Sequence, residues 1–140
     1  MKTTTLQIDD WVIYQSDKGP IPAIVTGLID VKKYPHNCPI HLTLTEKATG
    51  NVRMTWLDEG QVIPMHLTED MLSANLFVKG YDNVYSLEES DDEKIKIVYE
   101  NDLSTLMIGD NTYFIRSVSD LQHILRVSGY SDIADKWRVK

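Results

Sequence analysis

This sequence is poor in the residues that cross-link small folds or that mark a nucleic-acid surface. Cys38 is its only cysteine, so no disulfide can form within the chain, as is typical of proteins from a reducing compartment. Lysine and arginine number 14 against 21 aspartate and glutamate, and no three basic residues are consecutive. The resulting net charge of -7 opposes binding to a phosphate backbone, which requires clustered cations. We therefore do not expect nucleic acid as the main partner.

Long hydrophobic runs are also missing. No apolar segment approaches the ~18 residues that a membrane-spanning helix needs, and the first ten residues lack the apolar core of a signal peptide. We therefore expect a cytoplasmic protein that does not associate with membranes. Hydrophobic residues make up 42% of the chain and charged residues 25%, which argues against wholesale disorder. A chain of this length buries enough surface to fold without a metal or a disulfide.

The clearest local signals lie in the stretch 112–129, which predicts a strand that turns directly into a helix. One face of that helix is formed by apolar residues spaced three and four apart, namely Val118, Leu121, Ile124 and Leu125. Ser117 and Asp120 make the capping-box pattern that begins a helix, and Gly129 stands where a helix ends in a left-handed residue. The pattern predicts a closing C-terminal helix over 118–128.

Residues 6–66 contain short segments rich in β-branched and aromatic residues, separated by turn clusters. Four or five strands at this spacing favour a small barrel, SH3-like or similar. In the strand after the turn at 48–51, alternation predicts that Val52, Met54 and Trp56 face the core.

The second half begins with a helix signal capped by Thr68, and the hydrophobic period then returns to two in four segments between 84 and 116. The predicted fold is α+β: an SH3-like β-barrel N-terminal half, followed by a helix, an antiparallel β-meander and the closing C-terminal helix. Because no linker composition separates the halves, we expect a single compact domain over 1–140, with subdomains of approximately 1–66 and 67–140.

Three segments carry short motifs that recur in one known family. Ile63–Pro64 with Leu67–Phe77 is similar to the pattern I-P-L-T-E-E-x-L-x-x-N-G-F, and Ser117–Leu125 is similar to Y-V-H-x-L-Q-N-L. Leu6–Val12 is similar to L-R-I-G-N-x-V. Together they resemble a family of small uncharacterised proteins from Bacteroidetes genomes, their prophages and other mobile elements. Leu76 departs from the pattern, which has glycine there. The resemblance implies a phage or mobile-element accessory protein and brings no activity or binding residue with it.

Zinc ligation is the first chemistry to weigh. His36, Cys38 and His41 form the pattern H-x-C-x-x-H, and His66 could be a fourth ligand of a tetrahedral zinc site. The usual paired spacing is absent and only one thiolate is available, so we predict no metal site and no cofactor. Cys38 as a nucleophile would need a positioned base and an orienting group. No such signature surrounds it, and we predict an ordinary loop cysteine.

An acidic run occupies 88–93, with five carboxylates in six residues. Calcium loops alternate their ligands and place glycine at the sharp turn, and this run does neither. It predicts a solvated hairpin tip. Its carboxylates are also candidates for contact with a basic partner, namely Glu88, Glu89, Asp91 and Asp92.

Aromatic residues are the remaining candidates for binding. Trp11, Tyr34 and Trp56 could stack against bases or hold a peptide, as the aromatic residues of small barrels do. The strand positions of the two tryptophans favour core packing instead.

Sequence motifs of enzymes are absent: the chain has no P-loop, no dinucleotide-binding fingerprint, no nucleophile elbow and no H-E-x-x-H. We therefore predict a non-enzymatic protein that acts through protein–protein interaction with an unknown protein partner. Two alternatives stay open. One is weak nucleic-acid or peptide binding through the barrel aromatics, and the other is an enzyme with dispersed catalytic residues. A homo-oligomer is compatible with each of them.

Overall fold

A computed structural model of the chain describes residues 1–2, 5–29, 33, 38–45, 52–87 and 95–139. In this part of the chain, most of the regular secondary structure consists of strands of two antiparallel sheets, with a few short helices. The α+β class predicted from the sequence is confirmed. The chain divides into two compact units, Met1–Met65 and His66–Lys140. The single domain over 1–140 stays a prediction.

The first unit contains one five-stranded antiparallel sheet, with the strand order β4-β3-β2-β1-β5. Its strands are β1 (Trp11–Ser16), β2 (Gly19–Leu28), β3 (Ile40–Thr45), β4 (Val52–Leu57) and β5 (Val62–Pro64). A 3-10 turn, Glu59–Gln61, joins β4 to β5. β4 and β5 are the two ends of this order, so the described strands form an open sheet. They do not form a closed barrel, which is the fold that the sequence pattern favours.

The core of the first unit lies on one face of this sheet. Its buried apolar residues are Leu6, Val12, Ala23, Val25, Ile40, Leu42, Leu44, Leu57 and Val62. Leu42 and Leu44 alternate along β3 with His41 and Thr43, which therefore lie on the opposite, outer face.

The predicted orientation of β4 is wrong. Pairing places Trp56 opposite His41 and Met54 opposite Thr43, on the outer face. Val52, Met54 and Trp56 are accordingly 62%, 70% and 47% exposed, while Leu57 is buried. The alternation in the sequence predicts the strand β4 correctly but not its orientation. The pairing with β3 places the other set of alternate positions in the core, because a shift of one residue exchanges the two faces of a strand.

The second unit contains the other five-stranded sheet, with the order β10-β9-β8-β7-β6. Its elements are α1 (Glu69–Ala74), β6 (Phe77–Lys79), β7 (Val84–Leu87), β8 (Ile95–Val98), β9 (Ser104–Ile108), β10 (Asn111–Ile115), α2 (Val118–Val127) and α3 (Ser131–Asp135). The predicted antiparallel meander and closing helix are confirmed, and β6 is an additional strand that the sequence pattern does not predict. No described helix is both long and apolar enough to cross a membrane.

The closing helix α2 begins with the predicted capping box. Ser117 Oγ accepts a hydrogen bond from the Asp120 N–H at 3.2 Å, and Asp120 Oδ2 accepts one from the Ser117 N–H at 3.3 Å. These bonds satisfy two donors that the helix itself leaves without acceptors. The chain leaves the helix at Gly129, whose φ of 89° is a conformation that glycine adopts without strain.

Helix α1 ends in an unusual way. Asn75 is its C-cap, and the next residue, Leu76, has a φ of 71°. This left-handed position after a helix is normally glycine, because a Cβ there is strained by roughly 1–2 kcal/mol. The Leu76 side chain is 45% exposed, so packing recovers only part of that cost. Glycine is also the residue that the family pattern has here.

Replacing Leu76 by glycine is therefore expected to raise the free energy of unfolding by about 1 kcal/mol, since the strain at the helix end is removed. Urea denaturation followed by circular dichroism measures the change. Val78→Gly is the control, because Val78 is similarly exposed but lies in the extended strand β6, where glycine costs about 0.5–1 kcal/mol. Equal losses in both variants would contradict the strained conformation.

Candidate functional site

The residues proposed as zinc ligands do not form a described site. His36 lies outside the described residues. Cys38 and His66 are exposed, in the first and the second unit, and His41 is half-buried on β3. Within the described ranges, no group of three or more His, Cys, Asp and Glu residues is arranged to hold a metal ion.

Cys38 is an exposed thiol whose surroundings oppose ionisation. Partial loss of hydration, together with the charge of the Asp58 carboxylate and a hydrogen bond to it, raises the pKa of the Cys38 thiol above its ordinary value. A nucleophilic cysteine needs the opposite shift, because the thiolate is the reactive form. This environment is that of an unreactive cysteine.

Alkylation of Cys38 by iodoacetamide at pH 7.5 is therefore expected to be several-fold slower than that of a free thiol in a short peptide. A raised pKa leaves less thiolate at this pH, and the rate should keep rising with pH beyond ~8.5. Asp58→Asn removes the negative charge and should bring the rate towards the peptide value. Rapid alkylation of the unmodified protein at neutral pH would contradict this expectation. Mass spectrometry of timed samples gives the rates.

The other predicted interaction residues are divided between described and undescribed parts of the chain. Tyr34, Glu88, Glu89, Asp91 and Asp92 lie outside the described residues. Trp11 is half-buried on β1, in keeping with its strand position. Trp56 is the exception, because its ring lies on the outer face of β4 and not in the core.

The exposed ring of Trp56 belongs to a larger surface on the first sheet, here called the Trp56 surface. It consists of Val52, Met54 and Trp56 on β4, His41 and Thr43 on β3, and Thr26 on β2. The rings of His41 and Trp56 lie 4.6 Å apart between centroids, with their planes at 46°. Such tilted contacts between rings are favourable and hold both rings in place. The surface is therefore apolar and aromatic, with a polar margin.

Gly27 makes the packing of these two rings possible. Gly27, His41 and Trp56 lie in one row across β2, β3 and β4, next to a bulge in β2 between Val25 and Gly27. A Cβ at Gly27 would lie 3.0 Å from the Cβ of His41 and 3.4 Å from Cη2 of Trp56. A side chain at this position would therefore require His41, and to a lesser degree Trp56, to shift by a few tenths of an ångström. Glycine inside a strand often marks such a close approach.

Hydrogen bonds fix the histidine. Thr26 Oγ1 lies 2.7 Å from His41 Nδ1 and 3.2 Å from Thr43 Oγ1. The side chain of His41 is thus held by Thr26 on one side and by Trp56 on the other. A ring held in this way loses little conformational freedom on binding, which favours affinity.

The role of the Trp56 surface is inferred from its own side chains. Comparison with protein families, with curated proteins and with solved structures finds no match for this chain. The surface offers a flat ring, two aliphatic side chains and hydroxyl groups. Tryptophan and methionine are enriched where proteins bind proteins, and contiguous exposed apolar side chains mark such sites. The arrangement is suited to binding.

A second candidate is a groove of about 410 Å³ in the second unit. It is lined by Ala74, Asn75, Leu76, Asp132, Ile133, Lys136 and Arg138. The Asn75 amide, its buried polar group, donates to the carbonyl oxygens of Met71 and Arg138 at 2.7 and 2.8 Å and accepts from the Arg138 N–H at 2.7 Å. The two bonds to Arg138 hold the C-terminal segment against α1 and the bond to Met71 closes the end of that helix, so the amide has a structural role.

A third candidate is the polar depression around Glu69, Lys79 and Tyr99. Tyr85 donates a hydrogen bond to Glu69 Oε1 at 3.0 Å, and Lys79 Nζ lies 3.5 Å from the same oxygen. Burial, with the nearby Glu69 carboxylate, raises the pKa of Tyr85 to about 12. Tyr85 is therefore a neutral hydrogen-bond donor at physiological pH, and Glu69 is occupied in holding β6 and β7 to α1.

Sequence reasoning found Trp56 but missed the surface around it. The sequence pattern offers His41 as a metal ligand and places Val52 and Met54 in the core. The signal that could have identified the surface is Gly27, a glycine that directly follows the β-branched run Ile24–Thr26 in β2 and indicates close approach of a neighbouring group.

Proposed function

We propose that this protein is non-enzymatic and acts through protein–protein interaction, with the Trp56 surface as the contact region. The observation that carries the proposal is the exposure of Val52, Met54 and Trp56 on one strand at the edge of a sheet. Exposed apolar side chains on an edge strand promote aggregation, and natural proteins usually avoid them. A chain that keeps three together is expected to use them.

The pair His41 and Trp56 supports the same proposal. Binding energy at interfaces is concentrated in a few residues, and tryptophan is among the most frequent of them. Here the ring is placed by Gly27 below it and by His41 beside it. We infer that Trp56 is the anchor residue and that Met54 and Val52 extend the contact along β4.

The lineage and the detailed fold of the first unit belong to the proposal as well. We propose that the chain is a cytoplasmic accessory protein of a phage or mobile element, as its motifs suggest, and that the strands of its first unit follow an SH3-like order within an open sheet. The meander from β1 to β4, the 3-10 turn Glu59–Gln61 and the antiparallel pairing of β5 with β1 support this strand order.

Trp56→Ala is expected to weaken capture of the native partner about thirtyfold, because loss of an anchor residue costs on the order of 2 kcal/mol. The partner is first identified by affinity capture from the native host, and the dissociation constants are then measured with purified proteins. Phe114→Ala is the matched control: Phe114 is a 69% exposed aromatic residue on β10, in the other sheet. A partner that binds both variants as tightly as the unmodified protein would refute the proposal.

Single-stranded nucleic acid is the second candidate, since every base can stack on an exposed tryptophan. The exposed ring of Trp56 favours it, and the net charge of -7 opposes it. Quenching of tryptophan fluorescence by an oligonucleotide, weakened by salt and lost in Trp56→Ala, would establish this candidate in place of the first.

A further inference from the structure

The strand that carries the Trp56 surface is the terminal strand of its sheet. β4 is hydrogen-bonded to β3 on one side, and in the described part of the chain no strand is paired with its other side. It has six residues and is therefore about 20 Å long. Successive backbone groups of an edge strand point alternately into the sheet and away from it, so β4 presents donors and acceptors along its outer side.

The other edge strands differ from β4 in length and protection. β5 and β6 have three residues each, and β5 ends in Pro64. Short strands and proline are among the features by which proteins protect edges. β10 has five residues, but its exposed apolar side chain is Phe114 alone. β4 has no proline, its single charged residue is Arg53 on the inner row, and its outer face carries a row of three exposed apolar side chains.

We propose that β4 binds an extended peptide segment of a partner as an additional strand of the first sheet. This inference rests on the proposed function and names its ligand. The peptide backbone would bond to the outer side of β4, and every second side chain would lie beside Val52, Met54 or Trp56 on the outer face. Cross-strand neighbours of this kind are about 5 Å apart, so apolar residues at alternate peptide positions match the surface.

The net charge of the chain and the small apolar area on β4 indicate which kind of partner fits this strand. The net charge of -7 favours a peptide that carries lysine or arginine at the intervening positions, except at the position beside Arg53 on the inner row of β4, where a second cation would be repelled. A second copy of this chain would bring the same negative charge. The three apolar side chains also offer only on the order of 300 Å², whereas each partner in a standard interface buries roughly 800 Å². A short cationic strand, held partly by backbone hydrogen bonds, fits this limited surface better than a folded copy does.

The test uses the full chain and a ten-residue peptide that alternates lysine with valine. Three comparison peptides separate the contributions: one in which the same residues are not alternated, one with glutamate in place of lysine, and one N-methylated at alternate amides. Binding is measured by isothermal titration, and the site is located by amide hydrogen exchange of residues 52–57. The protein variants are Trp56→Ala and, as the control, Phe114→Ala.

We expect the alternating peptide to protect amides of β4 and to bind roughly tenfold more tightly than each comparison peptide. The N-methylated peptide should bind more weakly because N-methylation removes backbone hydrogen bonds without removing side chains. Trp56→Ala should weaken binding to a similar degree, and Phe114→Ala should leave it unchanged. Equal binding of the N-methylated peptide, or absence of protection in β4, would overturn the inference. Concentration-dependent dimerisation that is lost in Trp56→Ala would also overturn it, by assigning the surface to a second copy.

Failure here is distinguishable from failure of the proposed function. If the peptides do not bind but capture of the native partner still requires Trp56, the surface is a contact region for a folded partner and the strand-addition inference alone is wrong. If capture of the native partner is also insensitive to Trp56→Ala, both proposals are wrong.

Discussion

Leu125→Ala is expected to lower the free energy of unfolding by about 3 kcal/mol, within the range measured for buried leucines. Leu125 is fully buried on the inner face of α2, beside Leu121 and Val118. Its removal forfeits the transfer energy of the side chain and leaves a cavity, since helix and sheet can close only part of the space. Urea denaturation, monitored by circular dichroism and by hydrogen exchange of α2 amides, measures the loss.

Val127→Ala is the control for this prediction. Val127 lies two residues further along the same helix and is 80% exposed, so its replacement should change the free energy of unfolding by no more than about 0.5 kcal/mol. Similar losses in the two variants would mean that α2 does not bury the face described here.

Leu42→Ala is expected to have an effect of similar size in the first unit, about 3 kcal/mol. Leu42 is fully buried in the centre of β3, opposite Thr55 of β4. Met54→Ala, one position away on β4, should cost at most about 0.5 kcal/mol, because Met54 lies on the outer face. The pair therefore tests which face of the β3–β4 hairpin is the core. Denaturation with hydrogen exchange of β3 amides provides the measurement.

A large loss in Met54→Ala would have consequences beyond stability. It would place Met54, and with it Val52 and Trp56, in the core, as the alternation of β4 alone predicts. The Trp56 surface would then not exist, and both the proposed function and the strand-addition inference would lose their basis.

The features that could be predicted from the sequence are those set by local interactions. The capping box at Ser117 and the buried stripe of α2 involve residues within one or two turns of the same helix, so the pattern and the structure coincide. In β8, the period of two places Ile95 and Ile97 on one face with Lys96 between them, and both isoleucines are buried.

The features that could not be predicted depend on contacts between distant residues. The orientation of β4 is set by its register with β3, and its own sequence contains more apolar residues at the outward positions than at the inward ones. The strand β6 was hidden because leucine at position 76 conceals the left-handed turn that ends α1, which a glycine would have indicated. The candidate site combines residues from three strands, and no single segment contains its pattern.

Under the proposed function, Gly27 influences which ligand the Trp56 surface binds, although Gly27 itself contacts no ligand. An alanine there would move the imidazole and the indole by a few tenths of an ångström without altering which groups are displayed. In related chains, positions 27, 41 and 56 should consequently vary together: a larger residue at position 27 should be accompanied by smaller residues at positions 41 and 56. An engineer could use the same coupling to retune what the outer face selects while leaving the interior intact.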